Sequence, residues 1–190
     1  MSESETDILV ELPIEIIEEH DLQQDEDKQI REMLCACFPD WERVFRESRL
    51  WHNTPPIFSV LARQGGRIVG HLAVVVRTIT TTWNFRYNVA SIQGVCVVTD
   101  KRRTGISRRM LRAALSEAAR RGFLFAILYC KEFLVPFYCS QGWKLADDSV
   151  VMWNNQDLPI SMSSNCPMYC ELGDVPFPEG PLDVHSPSWE

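Results

Sequence analysis

The sequence predicts an α/β (α+β) fold: a mixed, mostly antiparallel central sheet flanked by helices. Three observations predict it. Gly65-Gly66 separates two long extended stretches, which is the two-residue signal of a hairpin. An extended stretch ending near Val98, a helical stretch from Gly105 to Arg121 and an apolar run from Phe123 to Cys130 make a crossover unit with parallel strands. The 190 residues are 45% hydrophobic and 24% charged, a balance that fills one core and leaves little for a second domain.

Residues 1–7 form an acidic leader without the basic region of a signal peptide. Ile8 to Leu12 reads as a first strand, ended by Pro13. From Asp25 to Phe38, Ile30, Met33, Leu34 and Cys37 recur at helical steps, and Asp25, Glu26 and Asp27 stand where carboxylates favour a helix N-terminus. Pro39 ends that helix, and a second runs from Trp41 to about Leu50. Phe58 to Arg63, Arg67 to Thr80 and about Phe85 to Val98 are strands of an antiparallel meander. Gly94 interrupts the third strand, as a bulge or a close backbone approach would. In the next helix Ile106, Met110, Ala113, Ala114 and Ala118 share one face, and Gly122 stops it. A short helix from Pro136 to Gln141, a strand pair from Trp143 to about Trp153, a loop from Asn154 to Asn165 and a last strand from Cys166 to Leu172 complete a single domain over 8–172. The Pro-rich tail over 173–190 shows no periodicity.

Several classes of function are excluded by composition. A net charge of −7 has the wrong sign for coating nucleic acid, and no apolar run approaches the roughly 20 residues of a membrane span. A cytoplasmic protein with no nucleic-acid or membrane partner is expected. The seven cysteines are odd in number, their close pairs are spaced C-x-C and C-x-x-x-C, and the four histidines are scattered, so reduced, mostly buried thiols and no metal site are expected.

One segment stands against the acidic background. Lys101, Arg102, Arg103, Arg108 and Arg109 fall within nine residues, where a strand turns into a helix. Free N–H groups and the positive end of the dipole make such a helix start an anion site, with Gly105 and the small Ser107 allowing close approach. A solvated basic turn is the alternative reading.

Arg102-x-x-Gly105-x-Ser107 resembles the Q/R-x-x-G-x-G/A pyrophosphate loop of the GNAT superfamily of acyl-CoA-dependent N-acetyltransferases. Gly94-Val95-Cys96-Val97 resembles that superfamily's bulged fourth strand, and Phe137-Tyr138-Cys139-Ser140-Gln141-Gly142-Trp143 its F-Y-x-x-x-G-F/W segment. The resemblance covers Ile30 to Leu145. Within the superfamily the chain is most similar to aminoglycoside 2′-N-acetyltransferases and more distantly to nodulation acyltransferases. It implies the GNAT fold, with the sheet splayed between its fourth and fifth strands.

The resemblance also implies a reaction, the transfer of an acetyl group from acetyl-CoA to a primary amine by direct attack, with CoA as product. Backbone N–H groups from Arg103 through Thr104, Gly105 and Ile106 to Ser107 would hold the pyrophosphate, with charge from Arg102 and Arg103. The pantetheine arm would lie along Val95, Cys96 and Val97, and the thioester carbonyl would meet an N–H near Val95. Tyr138 would protonate the leaving thiolate, a core aromatic being its other reading. Asp40 would take the amine's proton through water, or simply open the second helix. Asp40, Gln93 (an amide where the likeness has Glu) and the segment from Asp183 to Trp189 would line the acceptor pocket. The acceptor expected is a small cationic amine, an amino sugar or a polyamine. A protein amine, a longer acyl donor and a non-catalytic acyl-CoA-binding module are the alternatives, and the oligomeric state, a homodimer included, is left open.

Overall fold

The computed structural model describes residues 12–50, 54–146, 150–153, 159–160 and 165–185. Its centre is the hairpin of β2 (Phe58–Gln64) and β3 (Arg67–Thr81), turning at Gly65-Gly66 as the sequence predicts, followed by β4 (Arg86–Val97). β3 pairs antiparallel with β4 along one edge and with β2 along the first half of the other. β1 (Ile14–Glu18) pairs with β2. The strand expected over Ile8 to Leu12 lies, save for Leu12, outside the described residues, and the first described strand follows Pro13 instead.

Helices cover both faces of this sheet. α1 (Gln24–Cys37) starts with a capping box, in which the Gln23 N–H donates to Glu26 Oε2 at 2.9 Å, and its acidic first turn matches the positive end of the dipole. It buries Ile30, Met33 and Leu34 against Leu61, Ile68 and Cys96. α2 (Glu42–Glu47) adds Phe45, fully buried with its ring 6.0 Å from that of Phe38. Residues alternate between faces along a strand, so the neighbours of Leu61 point the other way. There Val60, Leu72 and Val74 receive Ile106, Met110 and Ala114 of α3 (Ile106–Arg120).

α3 returns the chain to β5 (Phe125–Cys130), parallel to β4. α4 (Val135–Cys139) and β6 (Lys144–Leu145) follow, then β7 (Val150–Trp153), β8 (Pro159–Ile160), β9 (Cys166–Glu171) and β10 (Leu182–His185). The strand pair expected between Trp143 and Trp153 does not form. β6 pairs with β9, which covers the open edge of β5 and buries Met168, while β7 pairs with β8 and β10. The segment expected as loop from Asn154 to Asn165 supplies the two residues of β8. The tail without periodicity contains β10, which pairs with Thr78 to Thr81 of β3, beyond the point where β2 leaves. Its Leu182 and Val184 are buried.

The feature that positions the site is a failure of pairing. β4 and β5 are in register only at Ala90–Ala126 and Ser91–Ile127. Past that point the strands diverge, as expected of the splayed sheet. A bulge drives the divergence: between the pairs His71–Cys96 and Ala73–Gln93, Gly94 and Val95 together face Leu72 alone. Gly94 adopts φ +59°, a left-handed conformation that glycine takes without a Cβ clash.

Candidate active site

The opening between β4 and β5 is a cleft of about 330 Å³. Gln93, Gly94 and Val95 form one wall and Leu128 to Lys131 the other, while Phe38 and Trp41 reach in from the turn between α1 and α2. Sequence reading places Gln93 and Val95 here, and both line the cleft. Cys96 and Val97 are buried, Cys96 toward α1 and Val97 toward α3, so they face a ligand only through their backbone.

The bulge is held from below by a residue that sequence reading passed over. His71, 1% exposed, has its Nδ1 3.2 Å from the Gly94 carbonyl oxygen. A carbonyl only accepts, so Nδ1 carries the hydrogen and Nε2 is the bare nitrogen, buried with no partner. Burial holds the ring's pKa down at about 4, opposed by the bond to Gly94 and helped by the Arg49 cation. His71 is therefore a neutral strut under the bulge.

Tyr138 enters from the other wall. It sits in α4, 6% exposed, with its ring edge-on to Phe137 at 5.0 Å and to Trp143 at 6.1 Å. It lines the cleft. Burial pushes its phenol above the ordinary tyrosine range, with the Cys130 thiol adding to the effect, so it keeps its proton through neutral pH.

The basic loop lies where β4 runs into α3. Gly105 caps the helix at φ +84° with no side chain closing the N-terminus, and Arg103 also has a positive φ, +65°. A Cβ built on Gly105 would meet nothing within 4 Å, so open space fronts the first N–H groups of α3. Arg103 and Thr104 are exposed, Ser107 is half-buried, and Ile106 turns its side chain into the core. Arg102 is committed elsewhere: its Nε donates to the Val97 carbonyl at 3.1 Å and its Nη2 to Cys37 Sγ at 3.6 Å. Cys37 also hydrogen-bonds with Cys96, and with Arg102 this lowers its thiol pKa, while that of Cys96 is raised. The sequence leads one to expect reduced thiols and singles out none of them. The charge beside Cys37 is a tertiary contact that no local pattern announces.

The expected acceptor residues are not brought together. Asp40 is exposed at the Pro39–Trp41 turn and stays out of the cleft wall that its neighbours Phe38 and Trp41 help to form. On β10, Val184 lines the cleft, so Asp183, one step along the strand, points to the opposite face. Trp189 lies outside the described residues. Among the described residues no Asp or Glu lines the cleft, whose charged groups are Lys131 and a buried arginine, Arg77 of β3.

The sheet thus opens beside a bulge, with a helix start that no side chain caps following β4 and a protonated tyrosine in the opening. The chain belongs to the acetyltransferase (GNAT) domain family, whose model matches residues 19–146. A search of curated protein sequences returns no match. Solved structures similar to this one include ElaA of Escherichia coli, with 14% identity and a TM-score of 0.59, covering 85% of this chain and 100% of that one. The GNAT family N-acetyltransferase YhbS of Escherichia coli, in complex with CoA, gives 14% identity and a TM-score of 0.63, covering 92% and 89%. An aminoglycoside 6′-N-acetyltransferase complexed with coenzyme A gives 16% identity and a TM-score of 0.60, covering 88% and 99%. At these identities the likeness is one of fold.

Proposed function

We propose that the protein transfers an acetyl group from acetyl-CoA to the primary amine of a small acceptor, by direct attack within the β4–β5 cleft. The observation that carries this reading is the loss of β4–β5 pairing after Ser91 and Ile127, with Tyr138 facing the gap. The residues present fit the cofactor. The space in front of Gly105 and the free N–H groups of α3 suit a diphosphate, and Arg103 adds charge. The unpaired edge of β4 can accept an extended arm as an added strand. When bound, acetyl-CoA supplies an electrophilic thioester carbonyl and a thiolate leaving group.

The chain's own groups do the rest. The bulge turns the backbone near Val95 toward the cleft, where an N–H can meet the carbonyl oxygen as charge develops on it. Tyr138 holds its proton at neutral pH and delivers it to the departing sulfur. Asp40, between cleft-lining Phe38 and Trp41, receives the amine's proton through water. Val184 brings the tail into the acceptor wall. Asp40 and Asp183, which would select a cationic amino sugar or polyamine, do not line the cleft, so charge selection falls to the groups that do.

Tyr138→Phe removes the hydroxyl and keeps the ring between Phe137 and Trp143. Turnover on any accepted amine is expected to fall on the order of 10²-fold, a general-acid contribution, while acetyl-CoA affinity stays within about twofold. CoA release and calorimetry on both proteins measure this. Undiminished turnover removes Tyr138 from the mechanism.

A further inference from the structure

We propose that Arg77 binds an anionic group, a carboxylate or a phosphate, on the acceptor, so that the acceptor is an amine with an acid several bonds from its nucleophilic nitrogen. This rests on the acyl-transfer reading above and names its substrate class.

Arg77 is 4% exposed and lines the cleft, and its Nη2 is buried without a hydrogen-bond partner. It stands beside an apolar cluster, pairing with Val89 and sharing a face with Ile79. A guanidinium does not shed its proton in a protein, so burial leaves a charge in need of compensation. Burial disfavours that charge, and the neighbouring Tyr129 phenol is itself kept neutral by burial. The lining offers uncharged polar groups and a second cation, Lys131, but among the described residues no carboxylate. A ligand anion is the missing partner, and the planar fork suits two-point contact with a carboxylate or phosphate.

The diphosphate of CoA does not meet this need. Arg77 lies opposite Val89, and the anion loop begins after Val97. At about 3.3 Å per residue the separation is roughly 26 Å. The bulge at Gly94-Val95 is nearer, and the length of an arginine side chain leaves on the order of 10 Å between guanidinium and reacting centre. The anion therefore belongs to the acceptor and sits about that far from the amine.

The test uses the full chain and four probes of one length: 8-aminooctanoate, 8-aminooctyl phosphate, octylamine and 1,8-diaminooctane. Thermal-shift titration reads binding without turnover, and CoA release reads turnover. In the unmodified protein the anionic probes are expected to bind roughly 10- to 100-fold more tightly than the diamine, and their rank separates carboxylate from phosphate. Arg77→Met is expected to bring that ratio near one while the free protein melts no lower, since an uncompensated buried charge has gone. Arg77→Lys, which keeps the charge and loses the fork, falls between. Preferential anion binding without CoA release would uphold the anion site and sink the acyl-transfer reading. Equal binding of all four probes, a diamine preference, or a melting temperature lowered by several degrees in both variants overturns the proposal, the last by making Arg77 a structural cation.

Discussion

His71 reaches the bulge as a neutral imidazole, so lowering the pH acts on the strut beneath the cleft. Protonation would place a cation and an unmatched N–H donor in a closed pocket near Arg49. The folded pKa is about 4 against 6.5 for a free histidine. The unfolded chain therefore binds the proton first as pH falls, and the stability contributed by a neutral His71 is complete above 6.5 and lost progressively toward 4. Linkage gives a loss of about 1.4 kcal/mol at pH 5.5 and about 2.5 kcal/mol at pH 4.5. His71→Asn is the comparison, because its amide N–H₂ can still donate to the Gly94 carbonyl while nothing titrates. The variant starts less stable at pH 7.5, having lost ring volume in the core. The gap between the two proteins should then close by about 2.5 kcal/mol by pH 4.5. Urea unfolding at half-unit pH steps measures it. Carboxylates held low by ion pairs, such as Glu18 and Glu117, are common to both proteins and cancel in the difference. A gap that stays constant from pH 7.5 to 4.5 would refute the assignment of a buried neutral imidazole.

At the anion loop, Gly105→Ala and Gly105→Glu carry the same left-handed strain, but only the second adds a charge; calorimetry should show CoA affinity falling at least about tenfold further for Glu than for Ala, and equal losses would move the pyrophosphate elsewhere. Cys37, its thiol pKa lowered beside Arg102 and Cys96, should be alkylated by iodoacetamide faster at pH 7 than in Arg102→Gln, with exposed Cys139 unchanged in both; mass spectrometry of the labelled peptides decides it.

What the sequence shows of this fold is local. The acidic start and helical period of α1, the Gly65-Gly66 turn, the interruption at Gly94 and the glycine opening α3 each act over a few neighbouring residues, and each is where the pattern puts it. Non-local choices were hidden. β10 is four residues long, Leu182-Asp183-Val184-His185 directly after Pro181, too short for an alternation to stand out. It has a place because β3 outruns β2. The partner of β6 is β9, more than twenty residues away, and nothing near Trp143 names it. His71 finds the Gly94 carbonyl only once the meander is paired. The candidate site divides the same way: the loop and Tyr138 belong to contiguous motifs, whereas Arg77, Val184, Phe38 and Trp41 reach the cleft from β3, β10 and the α1–α2 turn.

Arg77 shows how a rule of pattern fails at a site. In Val74-Val75-Val76-Arg77-Thr78, hydropathy alone turns the arginine to solvent and the valines inward. The structure leaves Val76 36% exposed and Arg77 4% exposed. Such a reversal lowers stability on both counts, so it is kept where function needs the charge. The wider charge distribution agrees. Many acids of this −7 chain are tied in structural pairs on the outer side of α1, β1 and α3: Glu15 and Glu26 on Arg63, Glu19 and Asp27 on Arg49, Glu18 and Glu117 on Arg121. The Arg63 and Arg121 pairs tie a helix to a strand, the Arg49 pairs tie the segment after α2 to α1 and to the turn after β1, and none of these carboxylates lines the cleft. Arg103 is left exposed at the loop after β4, and Arg77 is left buried in the cleft wall on the far side of the bulge. An acidic surface attracts cations to the protein, but the charged groups of the cleft itself, Arg77 and Lys131, favour an acceptor that also carries an anion. On the reading proposed above, the diphosphate of the acyl donor meets the loop and the anion of the acceptor meets Arg77, on opposite sides of the reacting centre.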